Sequence, residues 1–214
     1  MGLPNWWSAS ARPSETDGAV IHLYCATGNA GKLSEFRLAA DLSRIEIDHV
    51  PDFKRLPEAV EDGATFEENA IKKALHYAPC VSGLLFADDS GLDVEALGGA
   101  PGVYSARYSG EGATDASNNR LLLENLRGAA NRKARFVCAI ALVEGARVVG
   151  TFHGMVEGEI LHEERGSGGF GYDPLFYCPE FGCTFAEATP EQKFALSHRG
   201  RAFRELLASL RGGG

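Results

Sequence analysis

The sequence predicts an α/β domain in which a mixed central sheet is flanked by helices, with a cleft between two lobes. In the first half of the chain, apolar β-rich runs alternate with segments of helical periodicity, the pattern of strands joined by helices. In the second half, two strand-like runs follow each other closely and should pair as a hairpin. The chain has 214 residues and is 44% hydrophobic, which is enough for a substantial core.

The elements of the first half follow in order from these patterns. Val20 to Ala26 is a β-rich apolar run that predicts a strand, and residues 33–40 place Leu, Phe and Ala on one face of a helix. Ile45 to Val50 alternates like a strand. Thr65-Phe-Glu-Glu68 predicts a capping box, which opens a helix with alanines at i+4 spacing.

The second half is predicted to hold a helix, a hairpin and a final helix. The first helix lies near Asp115 to Arg127, after a Gly/Pro-rich loop. Phe136 to Val143 and Val148 to His153 predict a hairpin that turns at residues 144–146. Residues 203–210 place Phe and Leu on one face of the last helix.

The chain ends and the composition narrow the class of protein. Residues 1–19 have no periodicity and predict a disordered extension before a domain at 20–211. A formal charge of −8 argues against nucleic-acid binding, and an anionic substrate would need a local cluster of cations. Five scattered cysteines favour reduced thiols in a cytoplasmic protein. No apolar run approaches the ~20 residues that span a membrane.

Two adjacent carboxylates follow the strand predicted at Val81 to Ala87. Ser90-Gly91 should break this strand, which places Asp88 and Asp89 at its end, where ligand crevices form in α/β sheets. Two ionised carboxylates ~4 Å apart repel by roughly 4 kcal/mol at an effective dielectric of ~20. A buried pair therefore needs a shared proton or a cation, and Mg²⁺ is commonly held by one or two carboxylates plus phosphates. The alternative is a polar loop that caps the next element.

Three further segments have the composition of ligand-binding loops. Thr27-Gly-Asn-Ala-Gly-Lys32 joins a strand to a helix, so backbone N–H groups and a lysine could meet a phosphate, although an ordinary turn is equally compatible. The glycines around Phe170, Tyr172 and Asp173 favour a loop that lies against a flat ligand. Residues 193–199 bring lysine, serine, histidine and arginine to a helix start, or to a solvated basic face.

Together these segments resemble one family. TGNAGK, ADDSGLDVEALGGAPGVYSARYSG, GGFGYDP and SHRGRA are similar, in order, to the signature blocks of the inosine triphosphate pyrophosphatase family. The resemblance covers roughly Val20 to Arg211. It implies that a non-standard purine nucleoside triphosphate (ITP, dITP or XTP) and water give the monophosphate and pyrophosphate, with Mg²⁺ as cofactor. It also implies a homodimer.

The resemblance also implies roles for individual residues. Asp89 is the general base and a metal ligand, with Asp88 and Lys32 in the catalytic group. A second metal ligand is Glu61 or, alternatively, Glu58. The substrate-binding residues are Thr27, Gly28, Asn29, Ala30, Gly31, Lys32, Ser90 and Lys193 at the triphosphate, with Phe170, Gly171, Tyr172, Asp173, His198 and Arg199 at the base.

Base selectivity is expected to depend on hydrogen-bond donors. A donor from His198 or Arg199 to O6 would match hypoxanthine and xanthine, whereas adenine presents an amino group there. Two other functions stay open at this stage. One is a pyrophosphatase that acts on other modified nucleotides, and the other is a protein that binds nucleotides without turning them over.

Overall fold

In the part of the chain that the structure describes, a seven-stranded mixed sheet forms the centre. The structure, a computed structural model, describes residues 20–40 and 45–212, so the extension predicted at 1–19 lies outside the described residues. The strands are β1 (Ile21–Cys25), β2 (Ile45–His49), β3 (Leu84–Val94), β4 (Lys133–Glu144), β5 (Arg147–Ile160), β6 (Phe176–Cys178) and β7 (Cys183–Thr184). Their order across the sheet is β2-β1-β3-β4-β5-β6-β7.

The strand directions confirm the predicted mixed sheet. Strand β1 runs parallel to β2 and to β3, whereas the pairs from β3 to β7 are all antiparallel. Helical connections are required between parallel neighbours, and short turns suffice between antiparallel ones. The alternating first half and the locally paired second half of the sequence therefore build one sheet.

Strand β3 contradicts the prediction of a short strand that ends before Ser90-Gly91. It pairs with β4 from Leu84 to Val94, so Asp88 and Asp89 lie in its middle. Gly91 does not end the strand. Its lack of a side chain instead lets the segment at 102–105 pack directly against β3. A Cβ at this position would collide with the side chain of Ser105 and with the carbonyl of Gly102.

The hairpin of β4 and β5 is longer than predicted at both strands. Only Gly145 and Ala146 separate the two strands, and Gly145 adopts the positive φ of 55° that a two-residue turn requires. The extension arises where charged side chains alternate with buried ones, as in Arg135 beside Phe136 and Glu157 beside Val156. The predicted strand limits were drawn from apolar residues alone, so the parts of both strands in which polar and buried residues alternate were missed.

Within residues 20–40 and 45–212, five α-helices flank the sheet, namely α1 (Ala30–Ala40), α2 (Phe66–Tyr77), α3 (Asp115–Asn125), α4 (Pro190–Leu196) and α5 (His198–Gly212). The capping box predicted for α2 is half formed. Thr65 Oγ1 accepts from the Glu68 N–H at 3.1 Å, but the Glu68 carboxylate accepts from the N–H of Ala64 rather than Thr65. In the described part of the chain no helix is long and apolar enough to cross a membrane.

The core is divided by the two faces of the sheet. Helices α1 and α5 cover one face, where the rings of Phe36 and Phe203 lie 5.1 Å apart and Phe86 contacts both. Helix α2 covers the other face with Ala70 and Ala74. A third apolar cluster packs α3 against the beginning of β4, the end of β5 and strand β6. This cluster forms the second lobe, and a cavity opens between it and the lobe that contains α1, α2 and α5.

Candidate active site

A cavity of about 270 Å³ lies where the two lobes meet. The start of α1, the middle of β3 and the start of α5 form one side, and the loop at 170–173 with α3 forms the other. Most of the predicted site residues line it. They are Thr27, Gly28, Asn29, Lys32, Glu61, Asp89, Ser90, Phe170, Gly171, Tyr172, Asp173, Lys193, His198 and Arg199.

Four of the predicted site residues do not line the cavity. Ala30 and Gly31 lie in the first turn of α1, and a Cβ on Gly31 would collide with the ring of Phe170. This glycine therefore admits an aromatic ring rather than a phosphate. Glu58 is exposed away from the cavity, and Asp88 is buried behind it.

Asp88 and Asp89 do not form the carboxylate pair that their adjacency suggested. Consecutive residues of a strand point to opposite faces of the sheet, and both residues lie within β3. Asp88 faces α1 and α5, where Lys32 Nζ lies 2.8 Å from Oδ2. Asp89 faces α2, where its Oδ2 accepts from Asn69 Nδ2 at 3.0 Å. The two carboxylates therefore have different environments.

These environments move the two pKa values in opposite directions. Burial would raise the pKa of Asp88, but the nearby Lys32, Arg199 and Lys73 outweigh it and lower that pKa to about 2. At Asp89 burial dominates and raises the pKa above its ordinary value, since the cations offset it only in part. Asp88 is thus suited to remain ionised and to hold Lys32 and Arg199 in place. Asp89 is the carboxylate suited to accept a proton.

A second carboxylate reaches the cavity close to Asp89. Glu61 is half-buried, and its Oε1 lies 2.8 Å from Lys73 Nζ, which also donates to the carbonyl of Asp88 at 3.1 Å. Asn69 and Lys73 were not predicted as site residues. Their i, i+4 spacing beside the buried Ala70 and Ala74 was the available signal, because it places two polar groups on the core side of α2.

The glycine-rich loop brings two aromatic residues, Phe170 and Tyr172, to the cavity in different settings. Phe170 is half-buried, and its ring centroid lies 4.5 Å from Lys193 Nζ and 5.5 Å from Arg199 Cζ, within cation–π range. Tyr172 is buried, and its hydroxyl donates to the carbonyl of Ser105 at 2.8 Å. Phe170 is therefore the ring placed to stack on a ligand, while Tyr172 anchors the loop.

A chain of alternating charges runs behind this ring. Lys193 binds Asp173 at 2.5 Å and Glu35 at 2.8 Å. Glu35 also binds Arg199, whose Nε lies 3.6 Å from Asp88, and Asp88 in turn binds Lys32. All of these groups except Lys32 are buried. The order is Asp173, Lys193, Glu35, Arg199, Asp88 and Lys32.

Glu35 was not predicted, although it is central to this chain of charges. Burial would raise its pKa, but Arg199 and Lys193 outweigh that effect and lower it. The sequence signal was its position three residues after Lys32, beside the buried Phe36. A carboxylate on the buried face of a helix requires a partner.

His198 is buried at the start of α5. Its ring stacks on Phe136 with centroids 4.8 Å apart and planes 13° apart, and its Nδ1 has no hydrogen-bond partner among the residues that the structure describes. Burial lowers its pKa well below the ordinary value, and Arg199, Lys193 and Lys32 lower it further. A proton on this ring is therefore bound more tightly in the unfolded chain than in the folded one.

Stability should consequently fall on mild acidification. Below the unfolded pKa of ~6.5, protonation of His198 in the unfolded chain favours unfolding by at most about 1.4 kcal/mol per pH unit. The H198Q variant should show a shallower loss of unfolding free energy between pH 7 and pH 5 in urea titrations. The exposed His162 provides the control, because H162Q should leave the slope of the parent protein unchanged. Equal slopes for H198Q and the parent protein would contradict the assignment.

The site and fold have close counterparts among known proteins. A model of the Ham1 family matches residues 23–209. A dITP/XTP pyrophosphatase of Desulfotalea psychrophila is 52% identical over 183 residues, which is 86% of this chain and 82% of that protein. The dITP/XTP pyrophosphatase of Exiguobacterium sibiricum is 47% identical over 192 residues, covering 89% of this chain and 97% of that protein.

Solved structures agree with the sequence comparisons. A HAM1 protein from Coxiella burnetii superposes with a TM-score of 0.80 at 42% identity, covering 89% of this chain and 98% of that one. The span matched by the family model includes every residue that lines the cavity.

Proposed function

This chain belongs to the Ham1 family, and we propose that it hydrolyses non-standard purine nucleoside triphosphates to the monophosphate and pyrophosphate. The dITP/XTP pyrophosphatases named above are its relatives over nearly the whole domain. One structural observation carries the proposal. The cavity is lined by the ring of Phe170, which has Lys193 within cation–π range, and by Asp89, whose carboxyl pKa is raised. A purine can stack at the first while a phosphate is attacked near the second.

The charges around the cavity support a need for a divalent cation. Lys32, Lys73, Lys193 and Arg199 line it together with Glu61, Asp89, Asp115 and Asp173, so four cations face four carboxylates. The protein thus offers no net positive charge to a triphosphate that carries about four negative charges.

The residues present fit Mg²⁺. Asp89 and Glu61 are two oxygen ligands on one wall of the cavity, and Mg²⁺ is usually held by one or two carboxylates plus substrate phosphates. When bound, the ion would neutralise charge on the phosphoryl oxygens. Glu58 is the less suitable second ligand, because it is exposed and does not line the cavity.

The chemistry assigned to the side chains is general-base catalysis. Asp89 takes a proton from a water molecule, the water oxygen attacks the α-phosphorus, and the bond to the oxygen that bridges the α- and β-phosphorus breaks. The products are the nucleoside monophosphate and pyrophosphate. Asn69 and the Ser90 N–H hold the Asp89 carboxylate at 3.0 and 2.9 Å, so its orientation is set before substrate arrives.

Base selectivity is assigned to donors at the buried end of the cavity. Arg199 donates through one terminal nitrogen to Glu35 and through the other to Ser90 Oγ. Each terminal nitrogen carries two hydrogens, so donors remain for O6 of hypoxanthine or xanthine. Adenine carries an amino group at that position, so two hydrogen-bond donors would face each other and an adenine nucleotide would bind more weakly.

The direct test is release of pyrophosphate from ITP, dITP, XTP, GTP and ATP, with Mg²⁺ and with EDTA. We expect metal-dependent release from ITP, dITP and XTP, well above that from GTP and ATP. If every purine triphosphate is inert under both conditions, the proposed function is wrong. Release of orthophosphate instead of pyrophosphate would place the cleaved bond elsewhere in the triphosphate.

Lys32 should act on the triphosphate rather than on the base. Its side chain is 15% exposed and lines the cavity, while its ammonium group pairs with Asp88. The K32A variant should lose at least about tenfold in affinity for ITP, the size of a charge-assisted contact, and little in affinity for inosine. Calorimetric titration with both ligands measures this difference. Equal losses for the two ligands would show that Lys32 does not contact the phosphates.

Two further properties complete the proposal. A homodimer is proposed from the family, and sedimentation of the purified chain tests it. All five cysteines are free thiols, with Cys25, Cys138 and Cys178 buried, which supports a reducing compartment such as the cytoplasm. Nucleoside triphosphates are present there.

A further inference from the structure

Helix α3 makes two hydrogen bonds to the backbone of Gly171, in the glycine-rich loop that carries Phe170. Asp115 and Asn119 lie four residues apart on α3, so both side chains face the same direction. Asp115 Oδ2 accepts from the N–H of Gly171 at 2.7 Å. Asn119 Nδ2 donates to the Gly171 carbonyl at 3.2 Å. One helix face thus holds both polar backbone groups of one loop residue.

Asn119 is committed to this contact. Its side chain is buried, with 3% exposure, and its amide nitrogen also donates to Glu164 Oε1 at 2.9 Å. An amide nitrogen has two hydrogens, and the two contacts use both. Glu164 precedes the same loop, so Asn119 joins the beginning of the loop to its aromatic end.

The residue held next to Gly171 is Phe170. The N–H of Phe170 donates to Asp173 Oδ2 at 2.8 Å, and the same carboxylate binds Lys193. Phe170 is thereby fixed on one side by the buried charge chain and on the other by α3. Gly171 has φ of +63°, and such a residue is free to take other conformations when its hydrogen bonds are lost.

We propose that Asp115 and Asn119 are positioning residues for base recognition, because they hold Gly171 and so keep the Phe170 ring over Lys193 and Arg199. The inference rests on the proposed function, in which the purine stacks on this ring. It assigns to α3, which carries no residue of the charge chain, a role in the preference for ITP over ATP. The two residues act through the loop and not on the reacting atoms.

The test compares D115A with D115N. Alanine removes the acceptor of the Gly171 N–H, whereas asparagine keeps an oxygen acceptor and removes only the charge. We expect D115A to raise KM for ITP about tenfold, with kcat changed less than threefold, and to lower the ITP-to-ATP ratio of kcat/KM. D115N should restore KM to within about threefold of the parent value. N119L should shift the same quantities as D115A.

Hydrogen exchange of the substrate-free protein supplies a readout that does not depend on turnover. Exchange of the peptide containing residues 170–172 should accelerate in D115A and N119L and return to the parent rate in D115N. The control is N125A. Asn125 lies on the same helix, but its side-chain amide donates to the hydroxyl of Tyr108 at 2.7 Å rather than to Gly171. N125A should therefore keep the parent KM and the parent exchange rate at 170–172.

Three results would overturn the inference. A raised KM with unchanged exchange at 170–172 would assign Asp115 to direct contact with substrate. D115N as impaired as D115A would make the charge, and not the acceptor, responsible. Unchanged KM and base preference in D115A and N119L would remove both residues from recognition. If the parent protein fails to hydrolyse ITP, the proposed function is wrong, while hydrogen exchange still decides whether these residues hold the loop.

Discussion

Replacing Asp89 by asparagine should abolish turnover without weakening the fold. The amide cannot accept a proton from water, and loss of a general base costs typically 10²–10⁴-fold in rate. The loss of a metal ligand would add to this, so kcat for ITP should fall by at least about 10³-fold. Because burial raises the pKa of Asp89, the ionised carboxylate costs folding free energy at pH 7. The D89N variant should therefore unfold at the same urea concentration as the parent protein, or at a higher one.

Asp93 offers a matched control on the same strand. Its carboxylate lies 3.0 Å from the half-exposed Arg135 and does not line the cavity. The D93N variant should keep kcat close to the parent value, because Asp93 lies outside the cavity. It should also unfold much like the parent protein, since an exposed ion pair contributes ~1 kcal/mol or less to stability. Activity of D89N within about tenfold of D93N would remove Asp89 from the base role. Simultaneous loss of activity and of cooperative unfolding in D89N would make its role structural.

The fold was predictable from sequence where its signal is local. Hydrophobic periodicity marked β1, β2, α2 and the hairpin, because a strand or helix that buries one face carries that pattern in its own residues. The signature blocks then identified most of the residues that line the cavity. These features need no knowledge of what lies across the sheet.

The placement of the two aspartates was not predictable in this way. Ser90-Gly91 has the composition of a strand end, and only the turn at Gly102–Arg107, packed against Gly91, makes glycine compatible with a continuing strand. Once β3 continues, strand geometry sends Asp88 and Asp89 to opposite faces. A tertiary contact thus decides which carboxylate meets the substrate.

Glu35 illustrates the second limit. Its position beside Phe36 in α1 could have marked it as a residue near the core, but its partner Arg199 lies 164 residues later in the chain. Lys193, its other partner, belongs to α4, which is separated from α1 in the chain by strands β2 to β7. Electrostatic partners of this kind become visible only when the fold brings distant segments together.

Replacing Arg199 by alanine should destabilise the protein as well as change its base preference. The side chain is 2% exposed and its guanidinium is held between Glu35 and Asp88, so its removal leaves two buried carboxylates short of a partner. Breaking a buried ion pair from one side costs about 3–5 kcal/mol. The ITP-to-ATP ratio should also fall, because Arg199 is an assigned donor to O6 and also supports the Phe170 ring. Urea unfolding gives the stability, and the kcat/KM ratio of the folded fraction gives the preference.

Arg201 separates the effect of burial from the effect of charge. It lies two residues further along α5, is 37% exposed and pairs with Glu180 at 2.9 Å. The R201A variant removes the same charge from the same helix, yet it should cost about 1 kcal/mol or less, because water screens this pair. R199A should thus lose several times more stability than R201A, and only R199A should alter the base preference. Equal losses would mean that the chain of charges behind Phe170 does not stabilise the fold, and an unchanged preference in R199A would exclude Arg199 from base recognition.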